Sequence, residues 1–478
     1  MSEISSIQRV EFQDRVRTAL NDVHLQRAMA KAKSGFVDKR LEAKNALPEF
    51  DQIRDAARDI KDHVLSNLDT YLELYEEKVI ENGGHVHWAR DAEEACSIIA
   101  EICKASGART VTKGKSMVSE EMYLNPALEA VGMEVVETDL GEYIVQLAGE
   151  TPSHIIAPAV HKTREQITDL FHEHHSPLGY TDRVTQREAL VNEARSVLRE
   201  RFVSADVGIT GANFLVAETG ANVIVTNEGN GDLTSSLPKV HIVTAGIEKV
   251  IPSLEDLSVL LRVLARSATG QEFSAYTSIY SGPRRPEDGE GPEAYHVVLL
   301  DNGRSSMLGS DYQSMLRCIR CGACLNHCPV YGAIGGHAYG WIYPGPMGSV
   351  LTPLLNGFDS AVDLPNACTL NGRCKEVCPV HIPLSDLLLK HRTEQHDRKL
   401  TSVTSRWILT AWAWLVRRPR FYQAVMAIPL WTMNRVSRGA GGLRWIPFGR
   451  GWTNTRDFPV PARKSFLRQW HSQEKGRE

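Results

Sequence analysis

Seven of the nine cysteines in this 478-residue chain fall between positions 318 and 378. Four of them, in CIRCGACLNHCPV, are Cys318, Cys321, Cys324 and Cys328, spaced C-x2-C-x2-C-x3-C and followed by Pro329. Thiolates two residues apart turn together around one face of an iron–sulfur cubane, and Gly322 eases that turn. The fourth cysteine, before proline, leaves on another heading and in two-cluster ferredoxins ligates the neighbouring cluster. Zinc is the competing reading, but zinc usually takes paired C-x2-C knuckles. A disulfide framework would spread its cysteines along a short secreted chain.

The remaining three lie in ACTLNGRCKEVCPV, residues 367–380. Cys374, Cys378 and Pro379 end this stretch in the way an iron–sulfur motif ends, and Cys368 sits at the right distance before them. The intervening position, where a cysteine is expected, is Asn371. Crossed ligation assigns Cys318, Cys321, Cys324 and Cys378 to cluster 1, of [4Fe-4S] type. It assigns Cys328, Cys368 and Cys374 to cluster 2, with Asn371 at the vacant corner. An amide oxygen is a hard, neutral donor and a poor substitute for thiolate on iron. Cluster 2 is therefore read as [3Fe-4S], or as [4Fe-4S] with one iron bound by another donor or left open. Cys96 and Cys103, in the helix-like AEEACSIIAEICKA, read as buried core cysteines. Two clusters tied by exchanged cysteines are near neighbours, the arrangement of a wire. No G-x-G-x-x-G follows a strand and opens a helix, so no flavin or nicotinamide site is evident.

The elements that must carry these motifs are legible in outline. Residues 1–105 read as mainly helical, with the run from Phe50 to Gly84 repeating apolar residues at helical spacing and stopping at Gly83-Gly84. From 106 to 304 the apolar stretches TVTKG, MEVVETDL, HIIAPAV, FLVAETG, NVIVTNEG, VHIVTA and YHVVLLDNG alternate with helical patterns. That is the signature of an α/β layered domain. Residues 281–294, rich in Pro and Gly, read as a loop. Residues 305–395 form the ferredoxin-type two-cluster domain, and 396–478 a basic C-terminal region.

The net charge of −4 conceals an asymmetry. Residues 401–478 hold 14 Lys+Arg against 3 Asp+Glu, a balance of +11 that leaves −15 on residues 1–400. The tail also carries seven of the nine tryptophans, at 407, 412, 414, 431, 445, 452 and 470. A segment of this kind meets an acidic partner or surface. Packing on a partner or on the chain's own body is the first reading, and peripheral contact with a membrane interface the second. Nucleic acid is disfavoured, because nothing matches a recognised binding module. The N-terminal stretch MSEISSIQRVEFQDRVRTAL is charged and helix-patterned, without a secretory apolar core. No apolar run reaches the roughly 18 residues of a membrane span; the nearest is cut by Arg417, Arg418, Pro419 and Arg420. The expected location is cytoplasmic, with membrane association on the cytoplasmic side as the alternative.

Several long stretches carry a family likeness. KGKSMVSEEMYLN (113–125), ETDLGEYIVQL (137–147), PSHIIAPAVHK (152–162), GITGANFLVAETG (208–220), TNEGNGDLTSSLPKVHIVTAGIEKV (226–250) and GPEAYHVVLLDNGRS (291–305) resemble the LutB/LldF family. These are the iron–sulfur subunits of bacterial lactate-utilisation systems, and the likeness spans essentially the whole chain. It implies an α/β lactate-utilisation domain like that of the sugar-isomerase and coenzyme A transferase group. It also implies electron transfer during oxidation of L-lactate to pyruvate, beside two partner subunits. One of these is a glycolate-oxidase-like iron–sulfur subunit, and the other carries a lone lactate-utilisation domain.

The α/β region also offers residues for a small-anion site. Lys113, Lys115 and Ser116 follow a strand and precede a helix, and Glu218, Asn227 and Glu228 sit beside glycines at strand ends, where sites on open sheets collect. Packing turns and a solvated basic edge are the plainer explanation. His161, His241 and the FHEHH cluster at 171–175 read as hydrogen-bonded or exposed histidines, the spacing of His172 and His175 lacking a supporting carboxylate pattern. Three functions follow: a non-catalytic electron-transfer subunit, a catalytic subunit binding a 2-hydroxy acid at the α/β domain or at an open iron of cluster 2, and a redox-sensing or assembly module.

Overall fold

Short runs of Val, Ile and Thr between turn residues form ten strands in the computed structural model, which describes residues 12–437, 441–446, 449–453, 456–462 and 464–474. In chain order they are β1 (His85–Ala89), β2 (Thr110–Lys113), β3 (Glu134–Glu137), β4 (Val207–Gly211), β5 (Phe214–Val216), β6 (Ala221–Thr226), β7 (Val240–Gly246), β8 (Val250–Ile251), β9 (Tyr276–Tyr280) and β10 (Ala294–Leu300). Six make a parallel sheet in the order β1-β10-β7-β4-β2-β3. Helices cover a parallel sheet on both faces, so its central strands read as unbroken apolar runs; every residue of β7 is buried. The other four strands form a smaller mixed sheet, β8-β5-β6-β9.

Two local expectations change. The region read as helical up to residue 105 contains β1, which pairs with β10 from His85 opposite His296 to Ala89 opposite Leu300. Alternating His85 and His87 disguise it, because an edge strand exposes one face. HIIAPAV is not a strand. His154 Nδ1 accepts from the amides of Ile156 and Ala157 at 3.0 and 3.1 Å, closing a tight turn. The turn is needed to dock the cysteine segment: Tyr331 Oη donates to Ser153 O at 2.9 Å. A Cβ on Gly336 would lie 1.8 Å from that same carbonyl, so only glycine permits the approach.

The Phe50–Gly84 run folds as two helices, Phe50–Ser66 and Leu68–Glu81, separated at Asn67. The first packs with the helix Leu254–Ala268 and the cysteine segment in one hydrophobic core that includes Phe50, Leu260, Met315, Leu316 and Tyr343. The N-terminal helices, the sheets and the cysteine segment thus belong to one unit ending at Gln395. A second unit begins at His396. Its helices Val403–Val416 and Pro419–Val436 bury no residue, and Trp407, Trp412, Trp414 and Trp431 are exposed. Among the described residues, no helix is long and apolar enough to cross a membrane. The helical reading of residues 1–11 lies outside the described residues.

Candidate iron–sulfur centre and adjoining cavity

The two cysteine motifs fold as copies of one another. Arg320 and Leu370 both adopt left-handed backbone, with φ of 58° and 55°, and Gly322 and Gly372 follow at 72° and 79°. Each glycine caps a short helix, Ala323–Asn326 and Arg373–Val377, carrying Cys324 and Cys374 respectively. Asn371 therefore occupies the position of Cys321 in an intact loop. Left-handed φ is costly for a side-chain-bearing residue, and its repetition at Arg320 and Leu370 shows that the second loop keeps the conformation that turns thiols inward.

Cys318, Cys321, Cys324 and Cys378 line one small cavity whose other walls are apolar, among them Ile155, Met347, Val380 and Ile382. Burial and the neighbouring sulfurs push the thiol of Cys321 up to about 12 and that of Cys324 well above its usual range. Four such thiols ionise together only around a cation, which is what a metal cluster provides. The donor set, its spacing and its dry walls fit an iron–sulfur cluster. Cationic support comes from the N-terminal helices. Arg40, 5% exposed, donates to Val377 O at 2.9 Å, and Arg54, 6% exposed, donates to the carbonyls of Glu376 and Cys378.

Cys328, Cys368 and Cys374 form the second group. Burial comes first and its two partners second in pushing Cys374 up to about 12, and Cys328 feels Cys368 in the same way. Amides donate to the sulfurs, Tyr331 N to Cys328 at 3.4 Å and Leu370 N to Cys368 at 3.3 Å. Asn371 is exposed; its Oδ1 accepts from Arg373 N at 3.1 Å, and it borders a cavity that also reaches Cys328 and His327. Cys96 and Cys103 stand apart from both groups, in the core between the large sheet and the helix Ala92–Ala105. Burial raises their thiols to about 11 and 12.

A larger cavity, about 380 Å³, opens at the carboxyl ends of β2, β3, β4 and β7. Here the chain order reverses: β2 leads outward to β3, whereas β4, β7 and β10 step the other way. Such switch points are where open α/β sheets hold ligands. Lys115, Ser116, Asn227 and Glu228 line it, as the sequence suggested. Lys113 and Glu218 do not. Lys113 is fully buried between Glu120 and Glu137, at 2.6 and 2.7 Å; burial opposes its charge, but those carboxylates raise its pKa. Glu218 accepts from Leu254 N at 2.6 Å, at the start of a helix.

The sequence did not point to Lys249 and Arg320, which also line this cavity. Lys249 ends the 3-10 turn Ile247–Lys249 after β7. That turn is gripped from below, Lys61 Nζ donating to Glu248 O at 2.5 Å. Although burial opposes its ionisation, Arg304, Arg320 and Lys249 bring the Glu248 carboxyl down to about 2. Arg320 bonds Glu248 Oε1 at 3.3 Å and stacks its guanidinium 4.8 Å from the ring of Tyr343. Burial, then Arg320, pushes Lys249 down to about 8. The only sequence signal for Arg320 was its place between Cys318 and Cys321; Lys249 had none, since a lysine in a turn usually faces water.

The histidines are held within the fold. His241 Nε2 pairs with Thr210 Oγ1 at 2.8 Å, and His175 lies between Glu193 at 2.7 Å and Tyr143 at 2.9 Å. His161 pairs with Glu150 at 2.7 Å, and His172 Nδ1 faces Ser176 Oγ at 3.4 Å.

Family models agree with this two-part construction. A LUD domain matches residues 72–300, and a 4Fe-4S dicluster domain matches residues 314–382. "Lactate utilization protein B" of Bacillus licheniformis is 44% identical over 469 residues, covering 96% of each chain. The protein of the same description in Bacillus cereus is 44% identical over 473 residues, covering 97% of each chain. With relatives this similar along nearly its entire length, and with both domains present in order, the chain belongs to the LutB/LldF family.

Proposed function

We propose that this chain is the electron-transfer subunit of an L-lactate-oxidising system, taking electrons released as L-lactate becomes pyruvate and passing them to a downstream acceptor. The coarser part, a role in lactate utilization by a protein with an iron–sulfur dicluster domain, follows from its family. The observation that carries the finer part is the proximity of the two thiol groups. Cys324 lies close enough to feel Cys374 as well as Cys318, Cys321 and Cys378, so the groups are adjacent, with Cys321, Cys324, Cys374 and Cys378 buried and Cys318, Cys328 and Cys368 half-buried.

Cys318, Cys321, Cys324 and Cys378 would hold cluster 1, of [4Fe-4S] type, and Cys328, Cys368 and Cys374 would hold cluster 2, of [4Fe-4S] or [3Fe-4S] type. Bound there, the clusters supply one-electron redox chemistry. The chain's own residues exclude water from the first group, fix the sulfurs with amide donors and surround them with Arg40 and Arg54. The proposed partners are a glycolate-oxidase-like iron–sulfur subunit and a subunit with a lone lactate-utilisation domain. The second unit, with exposed Trp and Arg side chains, is a surface for partner contact, with peripheral membrane contact the second reading.

The test is anaerobic iron and sulfide analysis with EPR, followed by L-lactate added to the reconstituted chain with and without the two partners. Reduction of the clusters only with partners present supports the carrier role. Reduction by lactate without partners would make this chain the catalyst, and zinc in place of iron would remove the electron-transfer role.

A further inference from the structure

Lys249 is 6% exposed and lines the cavity at the carboxyl ends of β2, β3, β4 and β7. Among the described residues its ammonium makes no hydrogen bond or ion pair, although Lys61, Arg304 and Arg320 beside it are all paired. The anionic groups it feels are the Cys318 thiol and the Glu248 carboxylate, and the latter is bonded to Arg304 and Arg320 instead. A buried ammonium is costly unless something anionic faces it. A second orphan lies in the same wall: Asn230, 7% exposed, leaves Oδ1 without a partner. Buried polar atoms of this kind await a ligand or ordered water.

The lining also limits the class of ligand. Lys115, Lys249 and Arg320 supply three positive charges, and Asp139 and Glu228 supply two negative ones. The surplus of one favours a monoanion over a multiply charged phosphate. Asn230, Asp139 and Glu228 offer acceptors, and Ser116 and Thr244 hydroxyls, so a polar group beside the carboxylate is accommodated. The volume of about 380 Å³ leaves room for bridging water around a small acid.

We propose that this cavity binds a small monocarboxylate bearing a 2-hydroxyl or 2-oxo group, with its carboxylate held between Lys249 and Arg320 beside the Cys318–Cys324 loop. The choice among such acids, lactate and pyruvate, rests on the lactate-utilization reading; the site itself does not. Because Arg320 joins the cavity wall to the cysteine loop, an anion bound there places negative charge next to the first thiol group. Ligand and electron therefore oppose one another: the acid binds more tightly to the oxidised than to the reduced chain, and reciprocally disfavours reduction.

Saturation-transfer NMR on the anaerobically reconstituted full chain tests this with L-lactate, pyruvate and inorganic phosphate as separate probes. The expected result is saturable transfer to an acid, tighter for the oxidised chain, and weakened about tenfold or more in Lys249→Met. Lys249→Arg should retain binding, and iron content and EPR spectrum should be unchanged in both variants. The proposal is overturned if neither acid binds, if Lys249→Met binds as tightly as the natural sequence, if reduction of the clusters leaves affinity unchanged, or if phosphate binds more tightly than both acids. The binding needs no partner subunit, so its failure is separable from failure of partner-dependent cluster reduction.

Discussion

Arg54, from a helix 324 residues earlier in the chain, grips the main-chain carbonyl of Cys378 with two N–H donors, at 2.7 and 3.2 Å. The same guanidinium reaches Glu376 O at 2.8 Å. A fixed cation beside a sulfur ligand favours the more negative, reduced state of a cluster. Arg54→Met should lower the reduction potential of cluster 1 and cost about 2–4 kcal/mol through the unpaired carbonyls and lost packing. Arg54→Lys should recover the potential better than the stability, since an ammonium cannot reproduce the fork. An EPR-monitored redox titration with unchanged potential at full iron content would contradict the assignment.

Asn371 stands in a loop that already has the backbone of its cysteine-containing counterpart, so a thiol can be installed without rebuilding the turn. Asn371→Cys should move cluster 2 toward an ordinary four-iron signature, read as EPR line shape and iron per chain. A spectrum and iron content equal to those of the natural sequence would mean that the missing ligand comes from elsewhere.

Arg304, 1% exposed, bonds both carboxylate oxygens of Glu121 at 2.8 and 2.7 Å and Glu248 at 2.8 Å. This network ties the sheet to the cysteine segment, because Tyr343 also donates to Glu121 and Arg320 to Glu248. Arg304→Met leaves the buried Glu121 without its cation and Glu248 bonded to Arg320 alone, and should destabilise the first unit by about 3–5 kcal/mol. Denaturant midpoints within about 0.5 kcal/mol of the natural sequence would rule out that role.

His241 is 1% exposed, and burial pushes it down to about 3. The folded chain keeps it neutral, while the unfolded chain protonates it near pH 6.5. Stability is therefore complete above about pH 6.5 and falls as pH decreases toward 3, by about 1.4 kcal/mol per pH unit for this group. In His241→Gln the slope of unfolding free energy against pH should be shallower by one proton. Identical slopes in denaturation series at about pH 7 and pH 5.5 would refute the buried neutral state.

The second unit presents Trp407, Trp412 and Trp431 at 72%, 59% and 64% exposure beside arginines. If it contacts a partner subunit, Trp412→Ala and Trp431→Ala should each weaken copurification of that partner, about tenfold for an aromatic anchor, without changing cluster content. Salt-sensitive co-sedimentation with anionic vesicles, lost in the same variants, would instead give this surface to the membrane.

Much of the grouping of the thiols was legible because cysteine spacing within a loop is a local property. Cys318, Cys321 and Cys324 converge through a turn only a few residues long, with Gly322 at φ 72° as the chain implies. The apolar run of β7 announced a buried strand for the same local reason. By contrast, β1 alternates like a surface strand, and HIIAPAV has strand composition but is bent by His154 and pinned at Ser153 by Tyr331, 178 residues further on. Long-range contacts override propensity there.

The sequence by itself determined the family, the α/β class, the seven thiols and the odd position of Asn371. Only the tertiary structure decided which charges are spent inside the fold and which remain available. Lys113 and Lys249 are both lysines at strand ends; one is neutralised by Glu120 and Glu137, the other faces a cavity without a hydrogen bond or ion pair among the described residues. That difference depends on which carboxylates the fold brings within about 4 Å, and such distances are set by packing between elements remote in the chain.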